Sequence, residues 1–535
     1  MSKSNRWILL CIGTLVFGSE LIFGIWMAHW NYFIPGDAIS RVANAFYVLY
    51  SRDPHLGAVG FVWNPLPSLL ILPILLFNRW IPELANEGIS GVILTSLFAS
   101  AMAVFLFRNF SRRGHSVLVS IFFVFIFIFN PFMFLYGSNG MSETLFIFFI
   151  IVCVTYLTDL MDTENNTISL ILIGFSLALA FFTRYESIFF GAALSLSAVV
   201  IILNHYKNKE YHARTVYQKI EAAELIILLP AIYGGLLWIF LNWSIMGDAL
   251  YFLHSNYSNL AQSENLSTNP IIAPVIGNWL QTIQYVLLRS IPFSIPFVLI
   301  VLVRAFTGKL FKMDFLCLVI LILSVPLMQL IMLYKGASYG WLRFFVYPLP
   351  IVMAWLPYEL GKLKTKKKIL YKITTLAVIS SLIFSSYVTW LFMNNRKFAP
   401  EEYDAIHAKQ SPTYLNRMLA KRIAGDLDKR LSQHPDSKIL MDSFNAFQII
   451  LNSRHNQQLV ITSDLDFEKS LNHPVKHKIT YILVPKPNGV ASLNAVTKRY
   501  KNFYYRGASF AKLEKEYGEE WRLYRLFKPS STKNK

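Results

Sequence analysis

The sequence carries few charged residues for its length. Only 15% of its 535 residues are Asp, Glu, Lys or Arg, whereas soluble domains usually carry about 25%. A chain of this composition lacks the polar groups needed to cover a water-facing surface. Apolar residues make up 54% of the chain, and the mean hydropathy is +0.43. These values exclude a single large soluble domain and favour an integral membrane protein.

Cysteine and nucleotide-binding motifs are also scarce. The three cysteines, Cys11, Cys153 and Cys317, all fall inside apolar runs and have neither disulfide nor metal-ligand spacing. No Gly-rich loop of the P-loop or Rossmann type is present to hold a phosphate. The net charge of +19 lies largely in short clusters between apolar runs, as in membrane proteins. We therefore expect no nucleic-acid partner.

The apolar runs predict about eleven transmembrane helices, because each is long enough to cross a hydrocarbon layer of about 30 Å. The first run, Trp7 to Trp30, is too long for a signal-peptide core and is expected to be a retained anchor. Pro65 to Phe77 contains three prolines and is short, which favours a re-entrant or interfacial helix. The predicted spans lie near 7–30, 89–107, 116–136, 143–161, 168–184, 187–204, 224–243, 280–303, 314–334, 343–359 and 370–393.

The basic residues predict the orientation of these spans. With Pro65 to Phe77 not crossing, one side and its flanks hold eighteen Lys and Arg residues, and the other side, without the tail, holds six. The richer side is expected to be cytoplasmic. The sequence therefore predicts a multi-pass protein of the inner or plasma membrane, with a cytoplasmic N-terminus and an extracytoplasmic C-terminus.

The composition changes after the last predicted span. Residues 394–535 are polar, with short strand-like runs at 438–441, 458–462 and 479–484 and helix-like stretches at 414–431 and 443–452. This alternation predicts a small α/β soluble domain. We therefore divide the chain into a transmembrane catalytic domain, 1–393, with a first outer loop at 31–88, and an extracytoplasmic domain, 394–535.

The first outer loop carries several chemically interesting side chains. Asp37 follows Pro35 and Gly36 at the outer end of the first span, and Arg41 lies four residues further on, on the same helix face. Asp53 and His55 follow in the same loop. Asp37 also suits a simple helix N-cap. Its position at the membrane boundary favours a functional role.

These features resemble the C-type glycosyltransferase superfamily (GT-C), which includes protein O-mannosyltransferases and aminoarabinose transferases. Its members carry an acidic motif after the first span, matched here by Asp37. A Pro-Leu helix start follows, as in Trp63-Asn-Pro65-Leu66-Pro67, and an Arg-aromatic pair precedes a late span, as in Trp341-Leu-Arg343-Phe344-Phe345. Many members have two adjacent acids in the first motif, whereas Ala38 follows Asp37 here. Asp53 and Glu143 are candidates for the second acid, and the alternative is that the second acid is absent.

The resemblance implies transfer of a sugar from a polyprenyl-phosphate carrier to a glycan, lipid or protein acceptor, with inversion. Such chemistry needs a base, for which Asp37 is the candidate, and cations that hold the departing phosphate. Candidates for that role are Arg343, Lys335, Arg184 and the intramembrane Arg289. An ion pair with Glu186 is the alternative for Arg184, an interface anchor for Arg343, and an intramembrane ion pair or a snorkelling side chain for Arg289.

Three further residues complete the candidate site: Glu143, Glu186 and Tyr339. Glu143 alternatively forms an ordinary helix start. No metal-ligand spacing is evident, so no cofactor is predicted with certainty, although a divalent cation is compatible with the chemistry. The alternatives to a glycosyltransferase are a lipid or solute transporter or flippase, which the lack of matched halves disfavours, and a non-catalytic envelope assembly protein.

Overall fold

The computed structural model describes residues 3–163, 166–207, 212–366 and 368–527. Two cations of the predicted cytoplasmic clusters, Lys209 and Lys367, lie outside the described residues. The α-helices of the described chain are α1 (Lys3–Ile25), α2 (Gly36–Tyr50), α3 (Leu66–Leu75), α4 (Glu83–Asn86), α5 (Ile89–Arg112), α6 (Val117–Ile128), α7 (Pro131–Ser138), α8 (Glu143–Asp162), α9 (Thr167–Phe181), α10 (Ser187–Tyr206), α11 (Ala213–Met246), α12 (Tyr251–His254), α13 (Asn259–Ser263), α14 (Trp279–Phe306), α15 (Met313–Tyr334), α16 (Pro348–Lys366), α17 (Lys368–Met393), α18 (Pro400–Ile406), α19 (Pro412–Gln433), α20 (Ser443–Asn452), α21 (Phe467–Asn472), α22 (Ala495–Arg499) and α23 (Phe503–Arg506). The strands are β1 (Ile439–Met441), β2 (Leu459–Ile461), β3 (Tyr481–Pro485), β4 (Ala511–Tyr517) and β5 (Trp521–Leu526).

The helices confirm a polytopic α-helical membrane protein. Among the described residues, 8 helices are long and apolar enough to cross a membrane, and the number rises to 9 if α6 and α7 form one broken span. The two other predicted spans correspond to α9, which is an apolar helix of 15 residues, and to α16. The predicted count of about eleven spans thus exceeds the number of helices that are long and apolar enough to cross a membrane. Leu66–Arg79 is a shorter apolar helix, as expected for the proline-rich segment.

The predicted span 116–136 is not one straight helix. Its two parts, α6 and α7, are bent by 70° relative to each other. Pro131 lacks a backbone N–H and restricts the residue before it. The side chain of Asn130 caps the new helix by accepting a hydrogen bond from Phe132 N at 3.1 Å. This break was not predicted, because apolar residues continue on both sides of Asn130 and Pro131.

The chain divides into two compact units. The helical unit comprises Met1–Trp26, Val92–Leu241 and Leu266–Ile406. Its interior contains α8 and residues 348–360 of α16, which pack against each other and are buried over nearly their whole surface. A helix that is apolar all round belongs in such an interior. By contrast, α11 is largely exposed, as a lipid-facing helix would be.

The mixed unit comprises Met27–Gly91, Asn242–Asn265 and His407–Lys535. The first outer loop and the C-terminal region therefore fold together. Helix α2 packs against α20, and Arg52 forms ion pairs with Asp464, at 3.0 Å, and with Asp466. This unit is not divided at residue 393, where the composition changes.

A five-stranded sheet forms the core of the C-terminal region, with strand order β2-β1-β3-β5-β4. Strands β1, β2 and β3 are parallel, and β5 and β4 add an antiparallel hairpin beside β3. The small α/β domain predicted for the tail is confirmed. Leu440, Val460 and Ile482 are buried at its centre together with Phe503.

Candidate active site

Asp37 lies at the start of α2, a helix whose apolar face is buried. The N-cap position is Pro35, which makes no side-chain capping bond, and Asp37 is an acidic residue within the first turn. The expectation that Asp37 occupies the N-cap is therefore wrong by two residues. The helix begins at Gly36, so Asp37 lies inside its first turn. The Asp37 side chain is half-exposed.

A cavity of about 530 Å³ opens beside Asp37. All of its lining residues belong to the mixed unit. From the first outer loop come Asp37, Ser40 and Asn44 of α2 and the ring of Trp63. The segment at 246–262 adds four residues to the lining, and these are Met246, Tyr251, Tyr257 and Gln262. The volume lies in the range of about 300–1,000 Å³ typical of small-molecule sites.

The other candidates of the first outer loop do not line this cavity. Arg41 is buried, and its guanidinium carbon lies 5.1 Å from the centre of the Trp63 ring. Asp53 accepts a hydrogen bond from Leu465 N at 3.1 Å. His55 Nδ1 lies 2.7 Å from the carbonyl oxygen of Asp53. Arg41 thus supports the Trp63 wall, whereas Asp53 and His55 hold the loop in place.

A second group of candidates forms an ion cluster in the helical unit. Arg184 lies between α9 and α10 and donates to Glu143 Oε1 at 2.5 Å and to Glu186 Oε1 at 2.5 Å. Burial would raise the pKa of Glu186, but the adjacent positive charge of Arg184 outweighs this effect and lowers the pKa. The Arg184–Glu186 ion pair offered as the alternative for Arg184 is thus formed.

Arg343 lies next to this cluster, in the 3-10 turn Leu342–Phe345 that precedes α16. Its Nε lies 3.5 Å from Glu143 Oε1 and 3.3 Å from Glu401 Oε2. Its guanidinium carbon lies 5.3 Å from the ring centre of Phe344. The helix begins at Pro348, not at residue 343 as predicted. Arg343 is thus a buried residue of the turn, surrounded by carboxylates.

Glu402 extends the cluster. It is almost completely buried and accepts a hydrogen bond from Tyr136 Oη at 2.7 Å. Burial raises the pKa of Glu402, and the hydrogen bond from Tyr136 offsets this only in part. Four glutamates and two arginines therefore meet here, so the arginine charge is already neutralised by the protein.

Arg289 and Lys335 have different surroundings. Arg289 is buried, stacks on Tyr285 with 3.5 Å between its guanidinium carbon and the ring centre, and donates to the carbonyl oxygen of Lys397 at 3.0 Å. Its Nε has no hydrogen-bond partner among the described residues. Lys335 is exposed at the end of α15. The Tyr339 ring stacks on Trp341 with centres 5.4 Å apart.

Sequence reasoning missed several of these residues. Glu401 and Glu402 follow Pro400 just beyond the last predicted span, and an adjacent acidic pair there was a visible signal. Glu20 is a single acid within the apolar run of α1. It is fully buried and lies against Gly137, where a Cβ atom would approach Glu20 Oε2 to within 1.7 Å. Among the described residues, no group of three or more His, Cys, Asp or Glu side chains is arranged to hold a metal ion.

Comparisons with known proteins identify the fold. No protein-family model matches the chain, and no curated protein matches its sequence. Among solved structures, the chain is similar to that of ArnT from Cupriavidus metallidurans bound to undecaprenyl phosphate. The similarity covers 98% of each chain, with a TM-score of 0.51 and 9% sequence identity. The chain therefore has a fold similar to that of ArnT over nearly its whole length.

Proposed function

We propose that this protein is a membrane glycosyltransferase that transfers a sugar from a polyprenyl-phosphate carrier to an acceptor, with inversion. The observation that carries this proposal is the position of Asp37 in a cavity of about 530 Å³ that is lined by hydrogen-bonding and aromatic side chains. An ArnT-like fold supports it, because the similar structure is bound to undecaprenyl phosphate.

The proposed reaction is a single displacement at the anomeric carbon. An acceptor hydroxyl attacks this carbon, a new C–O bond forms, and the bond to the phosphate oxygen breaks with its electron pair, which releases polyprenyl phosphate. Asp37 accepts the proton of the attacking hydroxyl. A positioned general base of this kind contributes about 10²–10⁴-fold to the rate.

The departing phosphate needs cationic hydrogen-bond donors. Among the four candidates, Arg184 and Arg343 lie among glutamates, so binding a phosphate there would place it beside carboxylates. Arg289 and Lys335 form no ion pair among the described residues. We therefore rank Arg289 and Lys335 first as phosphate partners, with Arg184 and Arg343 as structural supports of the helix ends.

A lipid-linked donor accounts for the absence of a recognisable nucleotide-binding motif in the sequence. The sugar arrives already activated, so the enzyme needs only to bind its phosphate and orient the acceptor. We propose that this chemistry takes place at the extracytoplasmic face, with the N-terminus in the cytoplasm. The uneven distribution of basic residues supports this orientation.

The decisive experiment incubates the purified protein in lipid nanodiscs with radiolabelled polyprenyl-phosphate sugars and a mixture of candidate acceptors. The wild type should release polyprenyl phosphate and label an acceptor, and Asp37→Asn should reduce transfer by at least about 10²-fold. Asp436→Asn removes an exposed carboxylate of the same unit and serves as the control.

Folding of each variant is checked by its thermal unfolding midpoint. If folded Asp37→Asn retained more than a tenth of the transfer rate, Asp37 would not be the base. If wild-type protein moved the labelled lipid across vesicles without forming product, the chain would be a flippase.

A further inference from the structure

The C-terminal domain forms one wall of the cavity that contains Asp37. Ser443 and Phe444 follow β1 after Asp442, Thr462 and Ser463 follow β2, and Lys486 follows β3. All five line the cavity. The cavity therefore lies at the carboxyl ends of the three parallel strands. In open α/β sheets, ligands bind at this edge.

The strand order strengthens this assignment. Strand β1 is the first in sequence and lies between β2 and β3, so the chain moves to one side of β1 and then to the other. A crevice forms where the strand order reverses in this way. The loops after β1 and β3 border that crevice, and both contribute to the lining.

The loop after β1 is held rigidly. Asp442 is almost completely buried and accepts hydrogen bonds from Phe444 N at 2.9 Å, from Ala495 N at 2.7 Å and from Tyr257 Oη at 2.9 Å. Tyr257 also packs against the Phe444 ring, with centres 4.8 Å apart. These contacts fix the first turn of α20, whose next residues face the cavity.

The side chains that line the cavity, from both the first outer loop and the C-terminal domain, suit sugar hydroxyls. Three side-chain amides that line the cavity, Asn44, Asn416 and Gln448, make no hydrogen bond within the described part of the chain. Each amide offers both a donor and an acceptor, as a hydroxyl does. Trp63 and Trp521 contribute aromatic faces to the same cavity, and such faces bury apolar C–H surface at low conformational cost.

The charges of the lining argue against an anionic ligand. The lining contains Asp37, Glu520 and Lys486, and no arginine among the described residues. Lys486 Nζ already lies 3.1 Å from Glu519 Oε2. The cavity therefore carries a small net negative charge and lacks the fork-shaped donors that bind phosphate.

We infer that the C-terminal domain is an acceptor-recognition domain that binds a neutral glycan at the carboxyl ends of β1, β2 and β3. This inference rests on the proposed function, because it names the acceptor class of that site. The shared chemistry, neutral sugar hydroxyls, is present both in an acceptor glycan and in the sugar of the donor. Among the described residues, the lining contains no arginine, and its lysine is already paired with Glu519. The cavity therefore suits the neutral acceptor better than the donor, which carries a phosphate.

The test measures binding without requiring turnover. Saturation-transfer NMR on the full-length protein in nanodiscs uses a panel of neutral oligosaccharides of two to four hexose or N-acetylhexosamine units. Two further ligand sets are measured separately. One is the same panel of oligosaccharides carrying a phosphate ester, and the other is a polyprenyl-phosphate sugar. Gln448→Ala and Asn416→Ala should each weaken neutral oligosaccharide binding about three- to ten-fold, the effect of one lost hydrogen bond.

Trp521→Ala removes an aromatic face of the cavity and should weaken binding at least as much as the amide variants. Two further variants serve as matched controls. Trp80→Ala removes an exposed tryptophan of the same unit that does not line the cavity, and Gln433→Ala removes an exposed amide at the end of α19. Both controls should bind oligosaccharides as the wild type does. Unfolding midpoints show whether each variant is folded.

The outcomes separate this inference from the proposed function. Loss of neutral glycan binding in Gln448→Ala and Asn416→Ala, with unchanged binding of the polyprenyl-phosphate sugar, supports the acceptor site. Loss of donor binding alone would assign the cavity to the donor sugar and overturn the inference. Preference for phosphorylated glycans, or no glycan binding by folded protein that still binds the donor, would also overturn it. Glycan binding without any binding of the polyprenyl-phosphate sugar would overturn the proposed function and leave the glycan site.

Discussion

Replacement of Arg184 by Met tests whether the ion cluster of the helical unit is structural. The Arg184 side chain is 10% exposed, and its partners Glu143 and Glu186 are 0% and 11% exposed. The variant leaves two buried carboxylates without this cation, and breaking a buried ion pair costs about 3–5 kcal/mol. Arg343 lies 3.5 Å from Glu143 and still offsets part of its charge. We therefore expect a loss of about 3 kcal/mol, at the lower end of that range.

The free energy of unfolding is measured by SDS titration in mixed micelles, followed by near-ultraviolet circular dichroism. Adding Glu143→Gln and Glu186→Gln to Arg184→Met should recover most of the loss, because replacing a buried ion together with its partners by uncharged residues is often close to neutral in stability. A loss below about 1 kcal/mol in the single variant, or no recovery in the triple variant, would refute this reasoning.

The same variants decide whether Arg184 contacts the donor. Arg304 is a matched control, since it is buried between Asp314, at 2.9 Å, and Glu359. Arg304→Met should cost a similar amount of stability and leave binding of undecaprenyl phosphate, followed by native mass spectrometry, unchanged. If the stable triple variant at Arg184 bound this lipid more than ten-fold more weakly, Arg184 would be a phosphate partner and not a structural residue.

Three other predictions concern pH, packing and topology. The raised pKa of Glu402 means that the folded protein holds this proton to a higher pH than the unfolded chain, so this contribution to stability is complete below about pH 4 and is lost as the pH rises through the folded-state value. Glu402→Gln should remove the fall in unfolding free energy that this group contributes as the pH rises above about 4.5, and an unchanged slope would contradict this. A Cβ atom on Gly24 would lie 2.2 Å from the carbonyl oxygen of Ser138, whereas Gly18 has nothing within 4 Å. Gly24→Ala should therefore cost about 1–3 kcal/mol and Gly18→Ala should be neutral or slightly stabilising, and equal effects would refute the close approach of α1 and α7. In a chain with its native cysteines replaced, Leu465→Cys, at an exposed position, should react with a membrane-impermeant maleimide in intact cells, and Lys312→Cys should react only after lysis. The reverse pattern would overturn the orientation.

Local patterns predicted much of the fold. Apolar runs marked the long helices because a span needs about 20 apolar residues and little else. In the tail, the helix predicted at 443–452 is observed as Ser443–Asn452, and the three predicted strands differ from the observed ones by one or two residues. Strands β4 and β5 were missed. The sequence of β4, AKLEKEY, is rich in Lys and Glu, which are depleted in strands, so its pairing with β5 decides its structure.

The site was predictable only where a residue carries its own signal. Asp37 is a carboxylate at a membrane boundary, which made it a candidate without tertiary information. Asn416 and Gln448 lie on helices α19 and α20 and resemble ordinary solvent-facing amides in the sequence. Nothing local distinguishes them, because their role depends on the sheet that brings both helices to one cavity. The grouping of the first outer loop with residue 407 and beyond likewise rests on long-range contacts such as Arg52 with Asp464.

The composition of the cavity bears on how an acceptor would be used. Asp37 and Gln448 line the same cavity, so one glycan can present a reacting hydroxyl to the first and further hydroxyls to the second. Contacts remote from the reacting atom raise the rate when their binding energy holds the nucleophile in a reactive geometry. Uncharged amides are suited to this role. A single amide contributes little binding energy to one sugar unit, whereas several amides together bind only a glycan whose hydroxyls have the matching arrangement. Selectivity for the acceptor would then reside in the C-terminal domain, whereas the chemistry itself needs one carboxylate as the base and cations that hold the departing phosphate.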